Sequence, residues 1–197
     1  MGSTELTVRD VEGIAEMRRV GELQQRIADW NEHTAPLVQL IASCEVGAIL
    51  IGAFDGESLA GFVYGFPGYR GGRRIVHSHM LAVDPGYRQL DLGYRLKVAQ
   101  RERAIAEGVD EITWTFDPLR SMNAYLNVNR LGVVAESYRP AYYGESCAAA
   151  ARHIGTDRIW VRWQLDSERV RRRLEEGSSS EATRGRLETA LPLVRQG

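Results

Sequence analysis

The chain has 197 residues, of which 44% are hydrophobic and 26% are charged, and its formal net charge is −1. This composition is typical of a globular protein with one core, and it provides no general attraction to nucleic acid or to an acidic membrane. The two cysteines, Cys44 and Cys147, form no disulfide framework and match no zinc spacing. We therefore expect a cytoplasmic protein with no metal, no nucleic-acid partner and no membrane span.

The first half of the chain predicts helices followed by a three-stranded meander. Apolar residues recur at helical spacing over residues 8–30, and a short second helix is expected over Pro36–Ser43. A basic, flexible loop is expected at Tyr69–Arg74, before the third strand. The predicted strands are Ala48–Phe54, Leu59–Phe66 and Ile75–Val83.

The second half predicts helices alternating with strands. One helix is expected over Gly93–Glu107, and a second begins at the N-cap Ser121 and runs through Leu131. Ser167 is expected to cap a charged helix over Glu168–Glu176. The predicted strands are Glu111–Phe116, Val133–Tyr138 and Arg158–Leu165. We assign residues 1–177 to one domain and residues 178–197 to a polar C-terminal tail.

This order of elements predicts an α+β fold. Its sheet is mostly antiparallel and flanked by helices, with one parallel pair of strands where the helix Gly93–Glu107 crosses over. Such a crossover is expected to be right-handed.

The segment His77–Tyr94 is the most informative part of the chain. An apolar strand ends at Val83, a Pro-Gly turn follows, and a basic loop leads into a helix near Gly93. The first N–H groups of a helix lack partners within it, so this loop suits a phosphate or a pyrophosphate. The stretch Arg88-Gln-Leu-Asp-Leu-Gly93 resembles the acyl-CoA loop of the GNAT superfamily of N-acyltransferases, whose pattern is Arg/Gln-x-x-Gly-x-Gly/Ala. Asp91 stands in place of the first glycine.

The resemblance covers about residues 8–170. Further signatures, such as HSHMLAV over 77–83, FDPL over 116–119 and YYG over 142–144, resemble one branch of the superfamily, which includes amino-acid N-succinyltransferases. The resemblance implies a fold whose third strand splays away from the next strand. It also implies acetyl-CoA or succinyl-CoA as co-substrate, and transfer of the acyl group to the amine of a small molecule.

The resemblance also implies a set of donor-binding residues. The last backbone groups of the third strand would pair with the pantetheine arm, and the loop amides would face the pyrophosphate. Two asparagines four residues apart, which we expect on one helix face, could hydrogen-bond the donor arm or the acyl group. The expected donor-binding residues are Met80, Leu81, Val83, Arg88, Gln89, Leu92, Gly93, Tyr94, Asn123 and Asn127.

Asp91 leaves three alternatives open for the donor. A carboxylate in a phosphate cradle repels a pyrophosphate, at a cost of several kcal/mol for charges about 4 Å apart. The side chain either faces solvent or is neutralised by Arg88. Otherwise the donor is a phosphopantetheine thioester on an acyl carrier protein, which carries only one phosphate.

His79 is the candidate general base, because imidazole titrates near neutral pH. Alternation along the strand places His77 and His79 on one face and Ser78 on the other. The alternative is that His79 is a buried, hydrogen-bonded histidine that shapes the pocket.

The general acid is less well defined by the sequence. The tyrosine that many GNAT enzymes use falls on Val128, which cannot donate a proton. Tyr125, Tyr142 and Tyr143 are the replacement candidates, of which Tyr125 and Tyr143 are preferred. A further alternative is that no side chain donates the proton.

Three residues are expected on the acceptor side, namely His77, Asp117 and Ser121. Asp117 precedes a proline, so it either orients an ammonium group or stabilises the turn. No cysteine or serine has a convincing base beside it, which favours direct attack in a ternary complex. A non-catalytic ligand-binding module and a homodimer also stay open.

Overall fold

The computed structural model describes residues 6–27, 34–144 and 155–178. The strands are β1 (Thr7–Asp10), β2 (Ile49–Asp55), β3 (Ser58–Arg70), β4 (Arg73–Val83), β5 (Glu111–Phe116), β6 (Val134–Arg139) and β7 (Arg158–Gln164). The helices are α1 (Gly13–Arg26), α2 (Leu37–Glu45), α3 (Leu92–Ala106), α4 (Ser121–Ala124) and α5 (Glu168–Ser178). A 3₁₀ helix spans Pro85–Leu90, and α4 continues as a π-helix over Tyr125–Arg130.

The strands form one seven-stranded sheet in the order β1-β2-β3-β4-β5-β7-β6. All neighbouring strands are antiparallel except β4 and β5, which are joined through α3. This arrangement confirms the predicted α+β class and the position of the parallel pair.

Apolar side chains cover both faces of the sheet. One core, which includes Leu96 and Trp163, lies between the sheet and α3. The other, which includes Leu40 and Phe62, lies between the sheet and the pair α1 and α2. The sheet, including the parallel pair β4 and β5, therefore lies between two packed layers.

The helix predicted over residues 8–30 is wrong at its start. Thr7–Asp10 forms β1, and Val8 pairs with Ala53 on the edge of β2. Val8 and Val11 fit a helical spacing, but pairing with the open edge of β2 prevails over this local signal. Residues 28–33 lie outside the described part of the chain.

The loop predicted over Tyr69–Arg74 is also wrong, because β3 and β4 continue through it. Only Gly71 and Gly72 form the turn, and both have positive φ, at 56° and 78°. Arg70 contacts Glu136 at 2.7 Å, which ties the hairpin to β6. This long-range ion pair supports the extended strands and leaves no local trace in the sequence.

Candidate functional site

The parallel strands β4 and β5 separate soon after they meet. They pair only through Val76 with Ile112 and His77 with Thr113. Beyond these pairs β4 continues to Val83 and β5 to Phe116 without pairing with each other. The resulting cleft, which we call the β4–β5 opening, is the splay implied by the sequence resemblance.

A β-bulge in β4 lies at the mouth of this opening. Ser78 pairs with Gly65 and Met80 pairs with Tyr64, so His79 is an extra residue with no partner on β3. A bulge bends its strand and redirects the bulged side chain. The sequence gives no signal for this bulge, because alternation alone predicts regular pairing.

Backbone pairing shows which residues of β4 face the opening. The amide of Asp84 donates to the carbonyl of Ala60 at 2.9 Å. Hydrogen-bonded pairs alternate in an antiparallel ladder, so Met80 bonds to β3, while Leu81 and Val83 turn their backbone groups to the other side. The prediction that Met80 binds the donor is therefore corrected. The backbone of Met80 pairs with β3, and its side chain is buried beside α1 and α2.

Both histidines lie on the face of the sheet that packs against α1 and α2. The ring centroids of His77 and His79 lie 5.5 and 5.7 Å from that of Phe66. His77 Nδ1 lies 3.0 Å from Thr113 Oγ1, and its ring stacks on Trp160 at 5.1 Å. His79 is exposed, so it is the more accessible imidazole.

The surroundings keep both imidazoles neutral near pH 7. Burial lowers the pKa of His77 to about 4, with further lowering by the nearby His79, Lys97 and Arg139. Desolvation also lowers the pKa of His79. A neutral imidazole can accept a proton, which is the state that a general base requires.

A buried polar cluster lies on the opposite face of β4, against α3. Lys97 Nζ donates to Ser78 Oγ at 2.7 Å and to Gln100 Oε1 at 3.2 Å. Lys97 also lies 3.7 Å from the centroid of the Trp114 ring, and burial lowers its pKa to about 7. Sequence reasoning missed this cluster, because a lysine in a helix ordinarily indicates an exposed position.

Tyr143 lies on the same side of β5 as the histidines. Thr113 and Thr115 share one face of β5. Thr113 contacts His77, and Thr115 Oγ1 lies 3.4 Å from the hydroxyl of Tyr143. Tyr125 is half-buried in the π-helix, and no contact among the described residues links it to either histidine.

Among the residues after β5, Asp117 takes one of its two predicted roles, whereas Ser121 and the asparagines differ from the prediction. Asp117 Oδ1 accepts from the amide of Leu119 at 2.9 Å, so its side chain stabilises the turn. Ser121 is exposed and begins α4 without capping it, since Arg120 occupies the N-cap position. Asn123 is exposed whereas Asn127 is buried, so the two do not share one environment, because the chain widens into a π-helix between them.

The loop between β4 and α3 is built from tight turns. The carboxylate of Asp84 accepts from the amide of Gly86 at 3.0 Å and begins the 3₁₀ helix. The first intrahelical bond of α3 runs from the Arg95 amide to the Asp91 carbonyl at 3.2 Å. The amides of Leu92 and Gly93 precede it and so have no acceptor within α3.

The side chains of this loop divide into exposed and buried sets. Arg88 and Gln89 are exposed, so their side chains are accessible to an anion. Leu92 is 1% exposed and belongs to the core, which leaves only its backbone available to a ligand. A Cβ on Gly93 would lie 3.8 Å from Leu126, so an alanine would also fit there.

Asp91 is neutralised, but by a residue that the sequence did not suggest. It adopts the left-handed conformation with φ 54°, which glycine favours and aspartate tolerates. Arg130 Nη1 donates to Asp91 Oδ1, and the Arg130 guanidinium lies 3.9 Å from the centroid of the Tyr94 ring. Arg88 was the partner named in the alternative in which Asp91 is neutralised. The two residues of the observed pair are 39 positions apart, which explains why local reasoning missed it.

The splayed sheet and the loop before α3 define an α+β protein in which a helix start with unpaired amides lies beside a strand opening. Residues 17–127 match the model of the acetyltransferase (GNAT) family, over more than half of the chain. The chain belongs to this family and is an acyltransferase. No curated protein sequence matches it significantly.

Solved structures with low sequence identity share the fold. The ribosomal-protein-S18-alanine N-acetyltransferase from Escherichia coli is 15% identical with a TM-score of 0.66, over 83% of this chain and 96% of that one. The Salmonella typhimurium protein yncA, assigned as an acetyltransferase and solved with its cofactor acetyl-CoA, is 18% identical with a TM-score of 0.66, over 83% and 96%. An aminoglycoside 6'-N-acetyltransferase complexed with coenzyme A is 15% identical with a TM-score of 0.62, over 83% and 98%.

The described residues hold neither a metal-binding cluster nor a membrane-spanning helix. Residues 6–27, 34–144 and 155–178 contain no group of three or more acidic, histidine or cysteine side chains placed to hold a metal ion. Within the same ranges, no helix has both the length and the apolar character needed to span a bilayer.

Proposed function

We propose that this acyltransferase moves an acyl group from an acyl-CoA thioester to the amine of a small molecule, by direct attack in a ternary complex. The observation that carries this proposal is the β4–β5 opening. Three features meet at this opening. The backbone groups of Leu81 and Val83 face it, the start of α3 beside it suits a phosphate, and two imidazoles near it are held neutral.

The residues of the opening fit an acyl-CoA donor. The pantetheine arm is extended and carries amide groups, so it can pair with the outward backbone of Leu81 and Val83 as an added strand does. The amides of Leu92 and Gly93, with the side chains of Arg88 and Gln89, are proposed to face the pyrophosphate. The acetyl-CoA and coenzyme A complexes of yncA and the aminoglycoside enzyme support this choice of donor.

The asparagines of the segment after β5 have separate proposed roles. Asn127 is 4% exposed and is proposed to hydrogen-bond the donor arm. Asn123 and Ser121 are exposed, so they are proposed to contact groups at the outer end of the site.

The proton transfers can be assigned to side chains of this chain. The thioester supplies an activated acyl group, and the amine nitrogen bonds to its carbonyl carbon as the carbon–sulfur bond breaks. His79 is proposed to accept the proton that the amine loses, because it is neutral and accessible. Tyr143 is proposed to protonate the leaving thiolate, with Tyr125 as the alternative donor.

The acceptor is proposed to enter from the face of the sheet that packs against α1 and α2. His77 and Phe66 line this face together with Trp160. Asp117 is not included, because its carboxylate is engaged in the turn. The transferred group is an acetyl or a larger acyl group such as succinyl. The argument for a carrier-protein donor was repulsion between Asp91 and a pyrophosphate, and pairing of Asp91 with Arg130 removes that repulsion.

The test is an assay of amine-dependent thiol release. Acetyl-CoA and succinyl-CoA are each offered with a panel of amino acids, polyamines, aminoglycosides and short peptides, and products are identified by mass spectrometry. We expect release with at least one pair, and about a hundredfold loss in His79→Gln. Arg172→Gln, an exposed change on α5, is the control and should retain activity. If neither donor yields an acylated amine, the proposal is wrong.

A further inference from the structure

We propose that Arg130 is a donor-binding residue and that Asp91 holds it at the start of α3. This inference rests on the proposed function, since it assumes that an acyl-CoA pyrophosphate lies there. The Asp91–Arg130 pair would then allow the loop to bind a pyrophosphate although Asp91 replaces the first glycine of the family pattern. Neither residue acts alone in this arrangement.

Arg130 is held in place from two directions. Its guanidinium packs on the ring of Tyr94 at 3.9 Å, and the Tyr94 hydroxyl donates to the carbonyl of Leu174 at 3.4 Å. Asp91 accepts from Nη1 of Arg130. A guanidinium with a packed face and an anchored edge loses little entropy when it binds an anion.

The exposures of the two side chains indicate which one is fixed. The side chain of Arg130 is 13% exposed, whereas that of Asp91 is 53% exposed. The side chain of Arg130 is thus fixed by its surroundings at the side of the proposed site. Asp91 lies nearer the solvent, so a substitution of its side chain should leave the core unchanged.

The guanidinium retains donors for a ligand. Arginine has five N–H donors, and the described contacts use one of them for Asp91. Stacking on Tyr94 uses the face of the group and none of its N–H bonds. Nε is buried and has no hydrogen-bond partner among the described residues, so the donors left for a ligand are the remaining N–H groups of Nη1 and Nη2. Phosphate oxygens are the acceptors that a planar guanidinium binds best.

Charge balance explains why Asp91 requires Arg130 beside it. Asp91 alone would make the start of α3 repel a pyrophosphate. Arg130 cancels that charge and adds directed donors. The pair therefore keeps the amides of Leu92 and Gly93 usable by a pyrophosphate despite the carboxylate beside them.

The test measures binding of CoA, and of pantetheine as a ligand without pyrophosphate, by calorimetry. Arg130→Gln leaves Asp91 unpaired and should weaken CoA binding about tenfold or more. Asp91→Asn removes the negative charge but keeps the left-handed conformation and an amide oxygen that can accept from Arg130, so it should strengthen CoA binding about threefold. The double variant should bind CoA more tightly than Arg130→Gln, because the repulsion is gone, but more weakly than Asp91→Asn, because the guanidinium donors are gone.

The controls separate this inference from the proposed function. Arg172→Gln removes a similar charge on α5 and should leave CoA binding unchanged, and pantetheine binding should be equal in all variants. If the unchanged protein binds no CoA, the proposed function itself is wrong. If it binds CoA but Arg130→Gln binds equally well, the function stands and the role of Arg130 is wrong. If Arg130→Gln weakens pantetheine as much as CoA, the effect is structural and the inference is also overturned.

Discussion

His77 and His79 have the same side chain and the same face of β4, yet they differ in surroundings. His77 is enclosed by Trp160 and bonded to Thr113, whereas His79 is exposed at the bulge. Because His79 is the accessible imidazole, it is the proposed proton acceptor, whereas His77 is proposed to line the acceptor face. Their titrations give two separate predictions.

The first prediction concerns the pH dependence of catalysis. The pKa of His79 is lowered from its ordinary value of 6.5, so the base stays deprotonated to below pH 6.5. We expect kcat/KM to be level at neutral pH and to fall only on the acid side of pH 6.5. In His79→Gln this acid limb should disappear along with most of the rate. A limb that persists unchanged in the variant would rule out His79 as the titrating base.

The second prediction concerns stability and His77. Its pKa is about 4 in the folded chain against 6.5 for the free side chain, so the unfolded state binds the proton first as pH falls. The stabilisation present above pH 6.5 is therefore lost as pH falls towards 4, by about 2 kcal/mol between pH 7 and pH 5. Urea unfolding at both values should show this loss.

His77→Phe is the matched variant for that measurement, because it keeps a ring against Trp160. It should lose about 2 kcal/mol less than the unchanged protein between pH 7 and pH 5. Glu16, whose pKa is lowered to about 2, mainly by its hydrogen bond from Arg9, titrates in a more acidic window and does not interfere. An identical pH dependence in both proteins would show that His77 is not shielded as described.

At the scale of elements, the bulge of β4 depends on what lies opposite it in β3. A Cβ on Gly65 would lie 2.8 Å from Gln100 Nε2 and 2.9 Å from Val76 Cγ1. A Cβ on Gly68, in the same strand, would meet nothing closer than Ile75 at 3.8 Å. The two glycines therefore form a matched pair for a test.

The third prediction compares Gly65→Ala with Gly68→Ala. The first should lower the free energy of unfolding by about 1–3 kcal/mol, because the added methyl group forces its buried neighbours to move. It should also reduce activity, since Gly65 pairs with Ser78 beside the bulge at His79. Gly68→Ala should change neither quantity appreciably. Equal behaviour of the two variants in denaturant unfolding would contradict this account of the bulge.

The elements also show what could be predicted from the sequence. The strand β5 was predicted at its observed bounds, and Ser167 caps α5 as expected, with Ser167 Oγ accepting from the Val170 amide at 3.4 Å. These features depend on local periodicity and local hydrogen bonds. Three other features depend on partners distant in sequence, so no local pattern predicts them. They are the bulge at His79, the buried Lys97 and the Asp91–Arg130 pair.

At the scale of the whole molecule, the proposed cleft requires both co-substrates to be bound together. In the proposed arrangement, β4 and α3 form the donor side, and the face that carries His79 forms the acceptor side. The proposed direct attack of the amine on the thioester needs no covalent intermediate. The homodimer and the division at residue 177 stay predictions, and residues 179–197 lie outside the described part of the chain.

The fourth prediction is the kinetic signature of that arrangement. Double-reciprocal plots at several fixed amine concentrations should intersect, as they do for a ternary complex. Parallel lines, or an acylated enzyme seen by mass spectrometry without the amine, would indicate a covalent route instead.

The most direct measurement of the central claim is a crystal structure of the protein with acetyl-CoA. We predict that the pantetheine arm pairs with the backbone of Leu81 and Val83 in the β4–β5 opening. Its pyrophosphate should lie at the start of α3 within hydrogen-bond distance of Arg130, and the thioester should lie near His79. Acetyl-CoA bound elsewhere, with the opening unchanged and free of ligand, would contradict the account.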